Sequence, residues 1–545
     1  MLFPRCARLG SLAVALGCLS LTAFPLLAQE PATDESFGEE IEVSVVNLDV
    51  FVVDKQGKPL EGLKAEDFEV TEDGRPVKIT NFYTEKRDGA PAAAEKDDRP
   101  QDQRLRLVVF IDDVNIGPGT RANMLDHLSS FLHQRLTPGD EVMLVRYAQS
   151  LDIRRSFTSD ISQIDSAVAE LKGLSSDMRK FGESRDHAFE DIIDAIYANL
   201  GFGPLVEGRI RAWAEQESAV VRGTLDALDG VVSWLSGVPG RKAILYVSDG
   251  LPLRPGDDLF QWAANASGLR AGRRTSGISA QGFDLSKRFR AVTSHASRNR
   301  IAFYPIEAYG ARVSRSRVIG QAMIESRQDG LRFLAHDTGG REMLNAADPL
   351  AALRLLSEDL TSYYSLGYMP DRPGDEVEHK IEVKVKVKGA RARYRQWYSD
   401  KPAGEAVAER TLAVMRFGPE DNPLGASLDI QPPKDQNGTT MVPVRVKVPI
   451  AKLYLQPKDQ VRAGRLRLYI VASTAGTTTP VKETKVVTVE LPETEAAAGS
   501  AREYVHDVGI PLKAGTWSIG VAVRDELAAT TSYLRKEFKV PGEGR

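Results

Sequence analysis

Cysteine is almost absent from this chain: two in 545 residues, Cys6 and Cys18, both near the start. If that segment is removed, no thiol is left, which excludes disulfide staples, thiol catalysis and cysteine metal sites. Stability must then come from large apolar cores. Histidine is also scarce, at seven, and shows no zinc-ligand spacing: His127 and His133 are six apart on a helical pattern and face different ways. Each histidine reads as a surface or helix-flank residue. Charge is nearly balanced, with a formal −4, which argues against nucleic acid as a partner. Neither a Walker loop nor a serine framed as a nucleophile elbow occurs. "GFG" at 201–203 is a turn rather than a dinucleotide loop.

What is present begins with a targeting pattern. Arg5 and Arg8 precede an apolar run over residues 9–27, and Ala28 is followed by polar "QEPATDES". This reads as a secretory signal peptide over residues 1–28, giving an exported protein of the periplasm, cell envelope or exterior. An uncleaved anchor is the alternative, and only then would the membrane be a partner. Removing Arg5 and Arg8 leaves 69 basic residues (71 less two) against 75 acidic, a formal charge of −6. The length suggests roughly two to four domains.

Alternating strands occupy residues 40–86, with a hairpin signal at Asp73-Gly74 and a change of phase near Val46 that suggests a bulge. A charged, Pro/Ala-rich linker follows at 87–104. Residues 105–361 alternate strand and helix, which implies a mostly parallel, doubly wound, Rossmann-type sheet, with a helical insertion at 175–218. Strands return at 362–398, and residues 404–545 read as a short helix and a β-sandwich. The fold class is therefore α/β and all-β multidomain. The two flanking segments each have too few strands for a core, so 40–86 and 362–398 are expected to pair as one β-sandwich around the inserted α/β domain. Val43, Val45, Val50 and Phe68 would share its core with Tyr364, Ile381 and Val383.

The chemistry concentrates in "LRLVVFIDDVNIGPGT", residues 105–120. An apolar run stops at Asp112 and Asp113 and enters a Gly/Pro loop, the way a buried parallel strand delivers acids to the carboxyl edge of a sheet. A second buried strand, "ILYVSDG", ends at Asp249. Thr224, ahead of an apolar helical stripe, adds a hydroxyl. Such oxygens suit a hard cation such as Mg²⁺.

This order of elements resembles the von Willebrand factor A domain, and the chain is more specifically similar to the bacterial, acidobacterial-type von Willebrand factor A-related family. The stretches that carry the likeness include "VNLDVFVVDKQGKPLEGLKAEDFEVTEDG", "LVVFIDD", "GVPGRKAILYVSDGL", "LAHDTGGREML" and "SYYSLGYMPDRPGDEVEHKIEVKVKVKGARARYRQWY", over residues 41–398. The resemblance implies a metal-ion-dependent adhesion site of an Asp-x-Ser-x-Ser loop, a Thr and a second Asp. Asp112, Thr224 and Asp249 take three of those positions. The serines become Val114 and Ile116, or Asn115 and Gly117 if counted from Asp113. Val and Ile have no oxygen to give, so the site is degenerate and any Mg²⁺ weakly held.

The expected function is a non-catalytic binding or adhesion protein that presents this loop face to a protein partner. Asp112, Asp113, Asn115, Thr224 and Asp249 form the polar centre; Arg121, Arg254 and Asp257 form the rim. The alternatives are a metal-dependent hydrolase using the same acids, which lacks a visible nucleophile or nearby histidine, and a purely architectural envelope protein. "HDTGG" contains the Asp-Thr-Gly of aspartic proteases, but no second copy supplies the paired carboxylate. It reads instead as a helix end with Gly339 and Gly340 at positive φ. The basic stripe from Lys380 to Arg395 could meet an anionic glycan or lipid head group, or be the solvated face of a hairpin.

Overall fold

The computed structural model describes residues 45–86, 104–136, 139–174, 190–195, 198, 203–266, 281–307, 317–344, 348–372, 375–418, 422–436, 439–458, 461–474, 481–492 and 502–541. The signal segment, Val43, the phase change before Val46 and nearly all of the linker lie outside them. The chain opens with β1 (Val46–Val53), β2 (Phe68–Glu72), β3 (Arg75–Val77) and β4 (Ile79–Lys86). The next region runs β5 (Leu105–Asp112), α1 (Pro118–Arg135), β6 (Glu141–Tyr147), β7 (Leu151–Thr158), α2 (Ile161–Gly173) and α3 (Pro204–Leu235). It continues through β8 (Arg241–Ser248), α4 (Asp257–Ala266), α5 (Ser286–Arg298), β9 (Ile301–Glu307), α6 (Arg317–Thr338) and α7 (Pro349–Thr361). Then come β10 (Ser362–Tyr368), β11 (Glu378–Val385), β12 (Arg391–Arg393), β13 (Trp397–Ser399) and α8 (Ala403–Phe417).

The molecule mixes an α/β region with β-rich regions in several sheets. The central sheet has the order β7-β6-β5-β8-β9, with β7 antiparallel and the other pairings parallel. Every residue of β5 and β8 is buried, because both faces of the sheet are covered. Leu107, Val109 and Ile111 point into a core under α1, α2 and α7; Val108 and Phe110 point into one under α3, α5 and α6.

The strands on either side of this region pair with each other. β1 and β4 both lie against β10, and β2 lies against β11. Two four-stranded sheets, β12-β1-β10-β4 and β13-β11-β2-β3, enclose one core that includes Val50, Phe68, Tyr364, Ile381 and Val383. Asp73 and Gly74 both take positive φ, at 49° and 79°, as a tight hairpin needs. After α8, strands such as Thr439–Pro449, Val461–Ser473 and Gly515–Asp525 form two further sheets around a valine- and isoleucine-rich core.

Three local readings of the sequence change. Residues 204–235 are one helix of 32 residues, so nothing breaks at 218 and Thr224 lies within the helix rather than ahead of it. The apolar stripe simply continues from Val206, Ile210 and Trp213 to Leu225 and Leu228. His379 is buried, not superficial: it bridges Asp73 at 2.8 Å and Asp375 at 3.1 Å and lies over Tyr398. The basic stripe splits in two. Lys384 and Lys386 are exposed, whereas Arg393 and Arg395 fasten the β-sandwich to the α/β region. Arg393 pairs with Asp359, and Arg395 donates to Asn47 O and Ser297 O. Arg241 completes this seam, 3.3 Å from Asp49 and stacked on Tyr363.

Candidate functional site

Counted along the chain, the central sheet runs 3-2-1-4-5, so the connections reverse direction between β5 and β8. The carboxyl end of such a reversal is where α/β sheets open a crevice for ligands. Asp112 ends β5, and Asp249 follows β8. The topology therefore brings these two carboxylates to one edge.

The loop after β5 folds by local hydrogen bonding. Asp112 Oδ1 accepts from the backbone N–H groups of Val114 and Asn115, each at 3.2 Å, the turn that Asp favours. Val114 packs against the core under α3, and Ile116 is fully buried in the core under α1. The two side chains that stand where serines would supply oxygen instead pin the loop into both cores. Gly117 then caps α1, with Pro118 in the first turn where its missing N–H costs nothing.

The polar groups bond to one another. Asn115 Nδ2 donates to Asp112 Oδ2 at 2.8 Å and to Thr224 Oγ1 at 3.0 Å. The Tyr246 hydroxyl donates to Asp112 Oδ2 at 2.6 Å. Gly117 N donates to Asp249 Oδ2 at 2.7 Å, and Asp249 N donates to Asn115 O at 2.9 Å. Arg327, from α6, reaches Asp249 O at 3.0 Å. Burial pushes the Asp112 carboxyl up to about 6, although Tyr246 and Asn115 draw it down. Burial and the neighbouring Asp112 hold the Tyr246 hydroxyl well above its ordinary range, so it remains a donor.

These residues do not fit a cation as they stand. The Asp112 carboxylate already accepts four hydrogen bonds, from Val114 N, Asn115 N, Asn115 Nδ2 and the Tyr246 hydroxyl, and the Asn115 amide joins Asp112 to Thr224. Asp113 turns away from the centre to Arg121, at 2.8 Å, and Arg146, at 2.5 Å. Among the described residues no group of three His, Cys, Asp or Glu side chains comes together to hold a metal. Nor does any hydrogen bond there join Asp112 to a histidine, serine or lysine that could share acid–base work.

No family model and no curated protein matches this chain.

Of the expected residues, the structure gathers Asp112, Asn115, Thr224 and Asp249 into one buried polar centre. Arg121 is not on the rim: it is buried, and besides Asp113 it donates to Leu171 O and Leu174 O, tying α1 to the end of α2. Arg254 is exposed and pairs with Asp284 at 3.4 Å; Asp257 opens α4. Sequence reasoning passed over Tyr246, Arg146 and Arg327. Only Tyr246 carried a signal, as a tyrosine inside an otherwise apolar buried strand, where its hydroxyl needs a partner.

The edge also has a wall. A helix of 32 residues is about 48 Å long, whereas an eight-residue strand spans about 26 Å. Thr224 sits at the level of the aspartates and the helix ends near the start of β8, so its earlier turns rise past the edge. There Val206, Ile210 and Trp213 bury Leu259 and Phe260 of α4. Glu217 accepts from Gly256 N at 3.2 Å and holds the loop that carries Arg254.

Proposed function

We propose that this is an exported, non-catalytic binding protein of von Willebrand factor A-like architecture, with a doubly wound central sheet. On this reading the loop face at the carboxyl ends of β5 and β8 receives a protein partner, in adhesion or assembly at the cell envelope or outside it. The observation that carries the reading is the polar centre itself. Asp112, Asn115, Thr224 and Asp249 sit at the reversal of strand order and are hydrogen-bonded to one another and to the loop backbone, and among the described residues no nucleophile–base pair is built around Asp112. The 3-2-1-4-5 order with an antiparallel edge strand supports the fold assignment, and the signal-like segment supports export.

In this account the centre is cation-independent. It braces two loops so that exposed Arg254 and half-buried Asp257 keep a fixed geometry for a partner. Mass spectrometry of the exported protein should give a chain beginning near Gln29; an intact Met1 would favour an anchor. The function is tested by immobilising the mature chain and recovering partners from the envelope and culture fractions. The double variant Arg254→Glu with Asp257→Lys should lose a protein that the parent retains. Unchanged retention would take the binding surface away from this edge.

A further inference from the structure

At the opposite, amino edge of the central sheet, an open cleft of about 430 Å³ lies between the ends of α3 and α5, the face of α8 and Tyr533 of the C-terminal sandwich. Its size is in the range that takes a small ligand. Five cations face it: Lys242, Arg298, Arg300, Lys401 and Arg410. Some of that charge is neutralised internally. Arg298 pairs with Glu405 at 2.8 Å, and Lys401 pairs with Glu409.

Lys242 and Arg300 are different. Lys242 is only 7% exposed, yet among the described residues no carboxylate pairs with it. Its ammonium donates to Val238 O at 2.9 Å, which uses one of three protons. A lysine this buried is rarely left without an opposite charge. Among the described residues Arg300 reaches a carboxylate only at 4.0 Å, on Asp49, and it is held at a positive φ of 55° that few side chains adopt. Capping of the carboxyl ends of α3 and α5 accounts for a cation near each end. It does not account for an ammonium and a guanidinium converging on one cleft with so few acceptors among the described residues.

We propose that this cleft binds a phosphate-class oxyanion, with Lys242 and Arg300 as its direct ligands and Arg298, Lys401 and Arg410 as the surrounding field. Arginine offers a planar fork and lysine a point charge, the two side-chain types that phosphate recognition draws on. A doubly charged anion offsets the desolvation of two cations better than a single carboxylate does. The titration of Lys242 agrees with this geometry. Burial first, then Arg300, Lys401 and Arg410, push its ammonium down to about 7, with Glu409 opposing them. An anion in the cleft restores the proton.

The test uses the mature full-length chain, with inorganic phosphate and acetate titrated by calorimetry at equal ionic strength and pH 7. Two variants accompany it: Lys242→Met, which keeps the volume and removes a buried charge, and Arg300→Gly, which suits the positive φ. The expected result is saturable, submillimolar phosphate binding, with acetate at least about tenfold weaker and each variant about tenfold weaker for phosphate. Sulfate, which does not itself titrate near neutrality, should bind more weakly as pH rises from 6 to 8 in the parent chain, and show no such dependence in Lys242→Met. Absence of saturable phosphate binding, acetate binding as tight as phosphate, or parent-like affinity in both folded variants would each overturn the proposal. Should Lys242→Met fail to fold, Arg300→Gly decides alone.

Discussion

Asn115 serves two buried acceptors with one amide group, and much of the site's rigidity follows from that. In Asn115→Ala, Asp112 Oδ2 keeps only Tyr246 and Thr224 Oγ1 loses its donor. The expected cost is about 2–4 kcal/mol, read from urea unfolding; a change within a few tenths would mean the amide is not a brace. His379 makes a second residue-scale prediction. Burial pushes its imidazolium pKa down, but the bonds to Asp73 and Asp375 more than reverse this and leave it above the ordinary 6.5. Its contribution to stability is therefore complete below pH 6.5 and is lost as pH rises through the raised value. Asp73 and Asp375 lie below their ordinary 3.8, so their share is present above that value and is lost as pH falls through the lowered ones. The stability gap between the parent and His379→Gln should be widest between about pH 4 and 6.5 and shrink above it; a gap that grows with pH would contradict the charged bridge. Neither role was legible in the sequence. Asn115 stood in the loop but could equally have been a ligand, and one of the two carboxylates that His379 bridges, Asp73, lies 306 positions away.

At the scale of elements, the two glycines after α6 do different work. Gly339 has φ 76°, as a helix stop needs, and a Cβ on it would also lie 2.5 Å from Arg395 N; Gly340 does not take the positive φ expected of it and is needed for closeness alone, because a Cβ there would lie 1.8 Å from Phe303 O. Gly340→Ala must push α6 away from β9 and should cost about 3 kcal/mol or more. A thermal midpoint unchanged by the substitution would show that the approach is looser than described. The Gly-Gly pair was readable as a helix end; the contact that requires the second glycine was not, because it depends on packing. The same limit explains the other differences. The buried strands β5 and β8 announced themselves by uninterrupted apolar runs, and the Asp73-Gly74 turn by its dipeptide. β7, an edge strand with half-exposed residues and several polar side chains, gave no comparable pattern. The first turns of α3 looked like an insertion because their apolar stripe meets a small satellite core rather than the sheet.

Across the whole molecule, two segments separated by the α/β region share one sandwich. Glu69 and Lys384 face each other across β2 and β11, and both are exposed. Because both native cysteines precede residue 29, cysteines placed at these two positions should form a single disulfide in the mature chain without loss of fold; failure to oxidise would contradict the pairing. This partnership was legible from strand counting, since neither segment alone has enough strands for a core, while the arginine seam that joins sandwich to sheet was not. On the proposed reading, the polar centre of the loop face works without a cation. Calorimetric titration of the mature chain with Mg²⁺, beside Asp249→Ala, tests it most directly. The account predicts at most millimolar affinity in the parent chain and little change in the variant; micromolar affinity that disappears in Asp249→Ala would contradict it.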